Sequence, residues 1–148
     1  DHPDQLDEIR DGQDEQLIAN AIEELLRYIH VSHYGRRRVA LADIEIGGQL
    51  IREGDGVIIP GNLGDRDPAA FPDGPDRLDI HRQSRHHLAF GYGIHQCLGQ
   101  MLARAELQSV FGTLFRRIPN LDIAIPREEI PFKSDLFVYG AHRLPVTW

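Results

Sequence analysis

A ten-residue stretch around the single cysteine restricts what this 148-residue chain can fold into more than any other feature. Residues 90–99 read FGYGIHQCLG, and three of them are glycine. Helix-forming residues with apolar side chains at i, i+3 and i+4 follow directly, which predicts one helix over 98–118. Cys97 is therefore expected just before a helix N-terminus, where unpaired N–H groups and the helix dipole favour a thiolate.

A lone thiolate on a glycine-rich loop indicates an iron centre with one protein ligand. A tetrahedral zinc site needs three or four protein ligands, whereas the haem porphyrin supplies four ligands and leaves only an axial position to the protein. Glycines allow a sharp turn and the close approach of a large flat group. The alternative is that Cys97 is a buried free cysteine before an ordinary helix.

The loop resembles the haem-thiolate signature F-x-x-G-x-H/R-x-C-x-G of the cytochrome P450 family at every diagnostic position. The resemblance implies haem b (iron protoporphyrin IX) as the cofactor and Cys97 as both the catalytic residue and the iron ligand. The loop residues that it implies for cofactor binding are Phe90, Gly91, Gly93, His95, Cys97 and Gly99.

An amphipathic pattern over 15–29 predicts a second helix, and Glu24 and Arg27 lie off its apolar stripe. On spacing alone they form an exposed ion pair of little energetic weight. However, Glu24-Leu25-Leu26-Arg27 also resembles the family's E-x-x-R motif. That resemblance implies a buried structural network behind the thiolate, with Arg77 as its third member.

The same resemblance implies three contacts to the haem propionates. Arg38 is preferred over Arg36 and Arg37, and His87 and His95 stand three residues before Phe90 and two before Cys97. Arginine suits this role because a guanidinium can pair with a carboxylate through two hydrogen bonds. Substrate contacts are expected from the segment 31–34, and more weakly from 137 and 138.

Apolar and β-branched residues predict strands within 43–59, with a hairpin turn at Gly47-Gly48. A short strand is expected over 121–125 and a final hairpin over 133–148, while 60–75 is expected as a loop. In that loop, residues 62–65 (NLGD) replace an alanine-rich stretch that usually ends in Asn in the family.

The expected fold class is mixed, mainly α with a small antiparallel sheet. By resemblance it is the C-terminal part of the cytochrome P450 fold, with the K and L helices, β-hairpins and the cysteine-ligand loop, in a single partial domain over 1–148.

Composition excludes several other functions. A net charge of -7 argues against nucleic-acid partners, and no apolar run is long enough to cross a membrane. The acidic N-terminal stretch has no signal-peptide pattern, and a single cysteine cannot form an internal disulfide. These features predict a cytoplasmic protein without a membrane partner.

The resemblance implies a haem-thiolate monooxygenase, an oxidoreductase of the soluble bacterial type that inserts one oxygen atom from O2 into a small organic substrate. Electrons would come from a ferredoxin-type donor that docks on Arg82, Arg85 and Arg104. Family members are much longer, and the long distal helix with its acid–alcohol pair is not found here. We therefore expect a C-terminal portion that is not competent alone.

Without the distal half, a broad apolar surface is expected, which self-association or a partner chain would cover. Two alternatives stay open. One is a truncated relative that binds haem for sensing or for peroxidase-like chemistry. The other is a haem-free interaction protein derived from the same fold.

Overall fold

The computed structural model describes residues 2–148. Its helices are α1 (Pro3–Ile9), α2 (Glu15–Ile29), α3 (Gly61–Gly64), α4 (Gln100–Phe111) and α5 (Leu114–Arg117). Its strands are β1 (Arg36–Val39), β2 (Ile44–Ile46), β3 (Gln49–Ile51), β4 (Gly56–Ile59), β5 (Asp122–Ile123) and β6 (Val146–Thr147). Two short 3₁₀ turns cover Gly93–His95 and Arg127–Glu129.

Helix α2 is the central element, and its bounds are those that the apolar pattern predicts. It begins where the Asp14 carboxylate accepts a hydrogen bond from the Leu17 N–H at 2.9 Å, which is an N-cap. Its buried face contributes Ile18 and Ile22 to the main apolar cluster. Side chains of α4 pack against the same cluster, so the helix after the cysteine loop is held directly against α2.

The single helix predicted over 98–118 is wrong in its last part, because α4 ends at Phe111 and α5 is separate. Gly112 follows α4, and the Thr113 hydroxyl donates to the Ser109 carbonyl at 2.7 Å. Both residue types weaken a helix interior. Gly112 also lies against Gly12. A Cβ added to Gly12 would stand only 2.2 Å from the Gly112 carbonyl oxygen.

The strands of the described chain form three antiparallel ribbons, β1–β4, β2–β3 and β5–β6. The predicted hairpin at Gly47-Gly48 is confirmed, since these residues join β2 to β3 with φ angles of 57° and 76°. Two consecutive left-handed residues are what a tight hairpin turn requires. In β1, Arg36 faces Ile59 across the ribbon.

The predicted hairpin over 133–148 is wrong. β6 pairs with β5, which is far away in sequence, and the turn region contributes only an isolated bridge between Phe132 and Ala141. Pro145 has no N–H to donate to a strand partner within the segment, and its carbonyl instead accepts from the Ala124 N–H at 3.0 Å. The last strand therefore closes onto the segment that follows α5.

Many large apolar side chains are exposed, including four at and before the start of α4: Ile94, Leu98, Met101 and Leu102. Across residues 2–148, no helix combines the length and the apolar character that crossing a membrane requires.

Candidate functional site

The cysteine loop is a closed turn that leads directly into α4. The Cys97 N–H donates to the Phe90 carbonyl at 2.8 Å, and Gly91 and Gly93 adopt φ angles of 77° and 72°. These left-handed angles strain any residue with a Cβ, which explains the two glycines. Cys97 is a free and exposed thiol three residues before Gln100, the first residue of α4.

Cys97 lines a cavity of about 410 Å³ between α2, α4 and the start of β1. Most of its walls are apolar. The lining includes Ile22, Leu25, Leu26, Ile29, Ala89, Phe90, Leu107 and Phe111, together with the polar residues His30, Ser32 and Arg36.

These residues fit a haem. One exposed thiol faces apolar walls, and Gly99 leaves open the space beside the sulphur, where an added Cβ would stand 3.9 Å from Sγ. A residue with a side chain at Gly91 would instead meet the Arg36 guanidinium, with Nε at 3.2 Å from the Cβ. A flat apolar macrocycle with an iron that takes one axial thiolate matches this donor set.

A buried network centred on Glu24 lies behind the loop. The carboxylate accepts two hydrogen bonds from Arg27, at 2.7 and 2.8 Å, and further bonds from Arg82, Ser84 and the Asp79 N–H. Burial by itself raises the pKa of Glu24, but these hydrogen bonds and the Arg27 charge outweigh burial and lower the pKa below its ordinary value.

Arg27 is the second fixed point of this network. It is fully buried and donates to the carbonyls of Asp65, Pro75 and Arg77 at 2.7, 2.7 and 3.1 Å. One helix side chain therefore holds three points of the loop that precedes the cysteine loop. The E-x-x-R pair is buried in the structure, as the resemblance implied. Spacing alone predicted an exposed pair.

The arginine that joins Glu24 is Arg82, so the prediction of Arg77 is wrong. Arg77 has an exposed side chain and contributes only its backbone carbonyl to the network. The Arg82 guanidinium lies 3.2 Å from Glu24 and also donates to the carbonyls of Asp73 and Gly74, at 3.0 Å each. The path of the loop decides which arginine turns inward.

Glu23, next to Glu24, is the centre of a second network that the motif analysis missed. It accepts from Arg104 of α4 at 2.6 and 2.9 Å and from the His87 Nε2–H at 3.1 Å. The Arg104 guanidinium also lies 4.6 Å from the centre of the Phe90 ring. Although burial raises the pKa of Glu23, the hydrogen bonds from His87 and Arg104 lower it to about 2.

The structure contradicts the prediction that His87 contacts a haem propionate. Its Nε2–H donates to Glu23, and its Nδ1 accepts from the Ala89 N–H at 3.1 Å, so both ring nitrogens are occupied. His87 is also buried. A buried carboxylate on α2 takes the hydrogen bond that the resemblance assigned to the cofactor, and His87 fixes the loop to α2 instead.

The expected propionate contacts Arg38 and His95 are both exposed. Arg38 donates to the Arg37 carbonyl at 2.8 Å, and His95 ends the 3₁₀ turn of the cysteine loop. Their propionate roles stay predictions. The arginine that lines the cavity is Arg36, on the same face of β1 as Arg38 because strand side chains alternate.

A third buried pair, His30–Asp65, was also missed. His30 ends α2 with a φ of 41°, a left-handed angle, and its Nδ1–H donates to the Asp65 carboxylate at 2.6 Å. The second Asp65 oxygen accepts from the Leu88 N–H at 2.6 Å. The signal was present in the sequence, since Asp65 is the acidic residue at the end of NLGD, where the resemblance implied Asn.

The two segments predicted to face a substrate lie against each other. The Tyr139 N–H donates to the Val31 carbonyl at 2.8 Å, and the Tyr139 ring stacks on His33 with 4.3 Å between ring centres. Phe137 and Val138 are exposed next to them. Their contact with a substrate stays a prediction.

The predicted electron-donor surface is only partly present. Arg82 is buried against Glu24, and Arg104 is paired with Glu23, so only Arg85 of the three arginines is exposed. The three arginines therefore do not form a basic surface, because two of them are paired with the buried carboxylates of Glu23 and Glu24.

Comparison with known proteins agrees with this geometry. The family model described as cytochrome P450 matches residues 3–135. Cytochrome P450 GfsF of Streptomyces halstedii is 54% identical over 148 residues, which cover 99% of this chain and 36% of that protein. Pentalenic acid synthase of Streptomyces avermitilis is 50% identical, with coverages of 99% and 36%. The chain thus spans about 36% of the length of these relatives.

Solved structures show the same similarity. The crystal structure of GfsF superposes with a TM-score of 0.95 at 54% identity, covering 99% of this chain and 38% of that one. The crystal structure of cytochrome P450 MoxA from Nonomuraea recticatena gives 0.93 at 52% identity, with coverages of 99% and 36%. The predicted fold class, a partial P450 fold with small antiparallel sheets, is confirmed.

Proposed function

The chain belongs to the cytochrome P450 family, whose members bind haem b, and on that premise we propose that it is the haem-binding portion of a haem-thiolate monooxygenase. The observation that carries the proposal is the position of Cys97. Its free thiol is exposed to an apolar cavity, on a glycine-turned loop directly before α4.

Cys97 Sγ would bind the iron of a haem held in this cavity. The 12-residue α4 begins three residues after Cys97, so the ligand loop is attached directly to the start of a helix. Haem with a thiolate ligand supplies the activation of O2 for the transfer of one oxygen atom to an organic substrate. The Cys97 N–H to Phe90 carbonyl hydrogen bond fixes the backbone from which the sulphur extends.

The two buried networks hold this loop rigidly from behind. Glu23 of α2 binds both Arg104 of α4 and His87 of the loop, and so it joins these two elements. Arg104 also stacks on Phe90 of the cavity wall. Glu24 and Arg27 fix the preceding loop. Charged groups that are fully paired in this way orient the ligand loop without placing a free charge beside the sulphur.

The finer assignments follow from the resemblance. Arg38 and His95 contact the haem propionates, the segment 31–34 and residues 137–138 contact a small organic substrate, and a ferredoxin-type protein supplies electrons. Absence of an internal disulfide supports a cytoplasmic location.

A second function is favoured by the exposed apolar side chains at the start of α4. Leu98, Met101 and Leu102 are 101%, 72% and 64% exposed, which is typical of a surface that another chain covers. In this alternative the chain is a truncated haem-binding or haem-free interaction protein. It acts through self-association or with a partner chain.

The test is haem reconstitution of the purified chain, followed by reduction, addition of carbon monoxide and recording of the Soret band. We expect the strongly red-shifted band of thiolate-ligated ferrous carbonyl haem, and we expect Cys97→Ala to remove it. His142→Ala, an exposed histidine outside the cavity lining, is the control and should keep the band. Haem uptake without that band, unchanged in Cys97→Ala, would refute the ligand assignment and favour the interaction protein.

A further inference from the structure

We propose that Glu23 is a positioning residue for Cys97. It balances the charge of Arg104 and, through Arg104 and His87, it sets the orientation of the cysteine loop and the electrostatic potential at the sulphur. Glu23 is not among the residues that line the cavity, so it acts through these two partners. Its effect on the free thiol is independent of any cofactor, whereas its effect on a bound haem rests on the proposed function.

Both partners of Glu23 lie against the Phe90 ring, which is part of the cavity wall. The guanidinium carbon of Arg104 is 4.6 Å from the ring centre, and the tilted His87 ring lies with 5.8 Å between ring centres. The Phe90 carbonyl accepts the Cys97 N–H at 2.8 Å. One buried carboxylate therefore holds both side chains that fix the residue to which the cysteine backbone is hydrogen-bonded.

A second path joins Arg104 to the cysteine loop through the start of α4. The Gln100 Oε1 atom accepts from Arg104 Nη1–H at 3.0 Å and from Gln96 Nε2–H at 3.4 Å. Gln96 directly precedes Cys97 in the sequence. Arg104 is thus linked to the loop on both sides of the cysteine, through Phe90 and through Gln96.

Glu23 supplies the negative charge that balances Arg104. Its two oxygens accept from Arg104 Nε and Nη2 at 2.6 and 2.9 Å, and the other side-chain hydrogen bond of Arg104 found within residues 2–148 goes to the neutral Gln100. Glu23 is buried, and its pKa, lowered to about 2, keeps it ionised at neutral pH. Loss of this carboxylate would leave the partly buried guanidinium without a counter-charge, and such a charge is screened less than one at the surface.

The direction of the effect follows from the charges. In Glu23→Gln, the unpaired Arg104 makes the surroundings of Cys97 more positive and attracts an anionic reagent to the thiol. In Arg104→Gln, the unpaired Glu23 makes the surroundings more negative and repels the same reagent. The double variant lacks both charges and should behave like the native chain. If Glu23 acted through shape alone, the two single variants would have no reason to differ in sign.

The experiment compares two alkylating reagents on the single cysteine of the haem-free chain. Iodoacetate is an anion, and iodoacetamide is uncharged and of nearly the same size, so the ratio of their rate constants cancels differences in how exposed the thiol is. The ratio is measured at neutral pH and an ionic strength of about 0.01 M, where the Debye length is about 30 Å. Glu15→Gln is the matched control, because Glu15 is an exposed glutamate of the same helix and its replacement changes the net charge equally.

We expect the ratio of the iodoacetate rate to the iodoacetamide rate to rise about threefold to tenfold in Glu23→Gln and to fall by a similar factor in Arg104→Gln. Glu15→Gln, and Glu23→Asp, which keeps the charge, should change the ratio less than about twofold. The differences between variants should disappear in about 1 M salt, where the Debye length is about 3 Å. They should also disappear in the urea-unfolded chain, which lacks these contacts.

Haem provides a second measurement of the same charge. A ferrous haem carries one more negative charge than a ferric one, so an unpaired Arg104 should favour reduction. In the haem-bound chain, Glu23→Gln should move the ferric–ferrous equilibrium about tenfold toward the ferrous form, which is about 59 mV for one electron. Glu15→Gln should leave this equilibrium within about twofold of the native value.

The proposal is overturned if Glu23→Gln and Glu15→Gln give the same alkylation ratio, or if Glu23→Gln and Arg104→Gln shift it in the same direction. A rise in Glu23→Gln that persists when Arg104→Gln is added would also overturn it. The carbon monoxide spectrum separates this proposal from the proposed function. A thiolate band in the native chain, with equal ratios in all variants, leaves that function intact and removes the role of Glu23. Opposite shifts without a thiolate band support the role of Glu23 and refute the ligand assignment.

Discussion

Replacing Glu24 with glutamine tests whether the network behind the cysteine loop holds the fold together. Glu24→Gln keeps the shape of the side chain and removes its charge. Two arginines face this carboxylate, Arg27 at 2.7 Å and Arg82 at 3.2 Å, and all three side chains are buried. The amide also presents an NH₂ group where Glu24 has an oxygen, so at least one present donor loses its acceptor.

The expected loss follows from the burial of the partners. Removing one member of a buried ion pair costs about 3–5 kcal/mol, since the other charge stays buried without compensation. The total stability of a domain is only about 5–15 kcal/mol. Glu24→Gln should therefore remove a large part of the stability of the chain, because the buried Arg27 guanidinium loses the carboxylate that balances its charge.

The assay is urea denaturation followed by far-ultraviolet circular dichroism. Asp7→Asn is the matched control, because Asp7 of α1 and Arg10, which directly follows this helix, also stand three residues apart. Their Oδ1 and Nε atoms are 2.9 Å apart, but their side chains are 66% and 37% exposed. That exposed pair should contribute less than about 1 kcal/mol. Similar small decreases in the free energy of unfolding for Glu24→Gln and Asp7→Asn would show that burial does not determine how much the E-x-x-R pair stabilises the chain.

Two other substitutions test the contacts around α2. The folded pKa of Glu23 is about 2 against an ordinary value of 4.5, so its stabilisation is present above pH 4.5 and is lost as pH falls toward 2. Glu23→Gln should flatten that part of the pH dependence of unfolding, and an unchanged slope would contradict the assignment. Gly12→Ala should destabilise the chain by more than about 2 kcal/mol, since its Cβ meets the Gly112 carbonyl oxygen at 2.2 Å and its φ is left-handed. Gly54→Ala, with a left-handed φ of 88° but open space around the Cβ, is the control and should cost about 1 kcal/mol, so equal losses in thermal denaturation would refute the clash.

The sequence pattern was sufficient to predict those elements that are determined by residues close together in the sequence. The apolar stripe predicted the bounds of α2, and two adjacent glycines predicted the turn between β2 and β3. The ten residues around Cys97 were specific enough to indicate the family and its cofactor, because their spacing is set by the turn into α4. These features depend on residues that are close in sequence.

Only the tertiary structure decided which charged side chains meet. Arg82 rather than Arg77 reaches Glu24, His87 pairs with Glu23, and Arg36 rather than Arg38 lines the cavity. The first two choices depend on how a loop crosses α2, and the third depends on which end of β1 meets the cavity. Residue type and spacing specify neither. A buried carboxylate binds the donor that the fold brings within about 3 Å, whatever its distance along the sequence. The motif therefore predicted that a network exists, and packing determined its members.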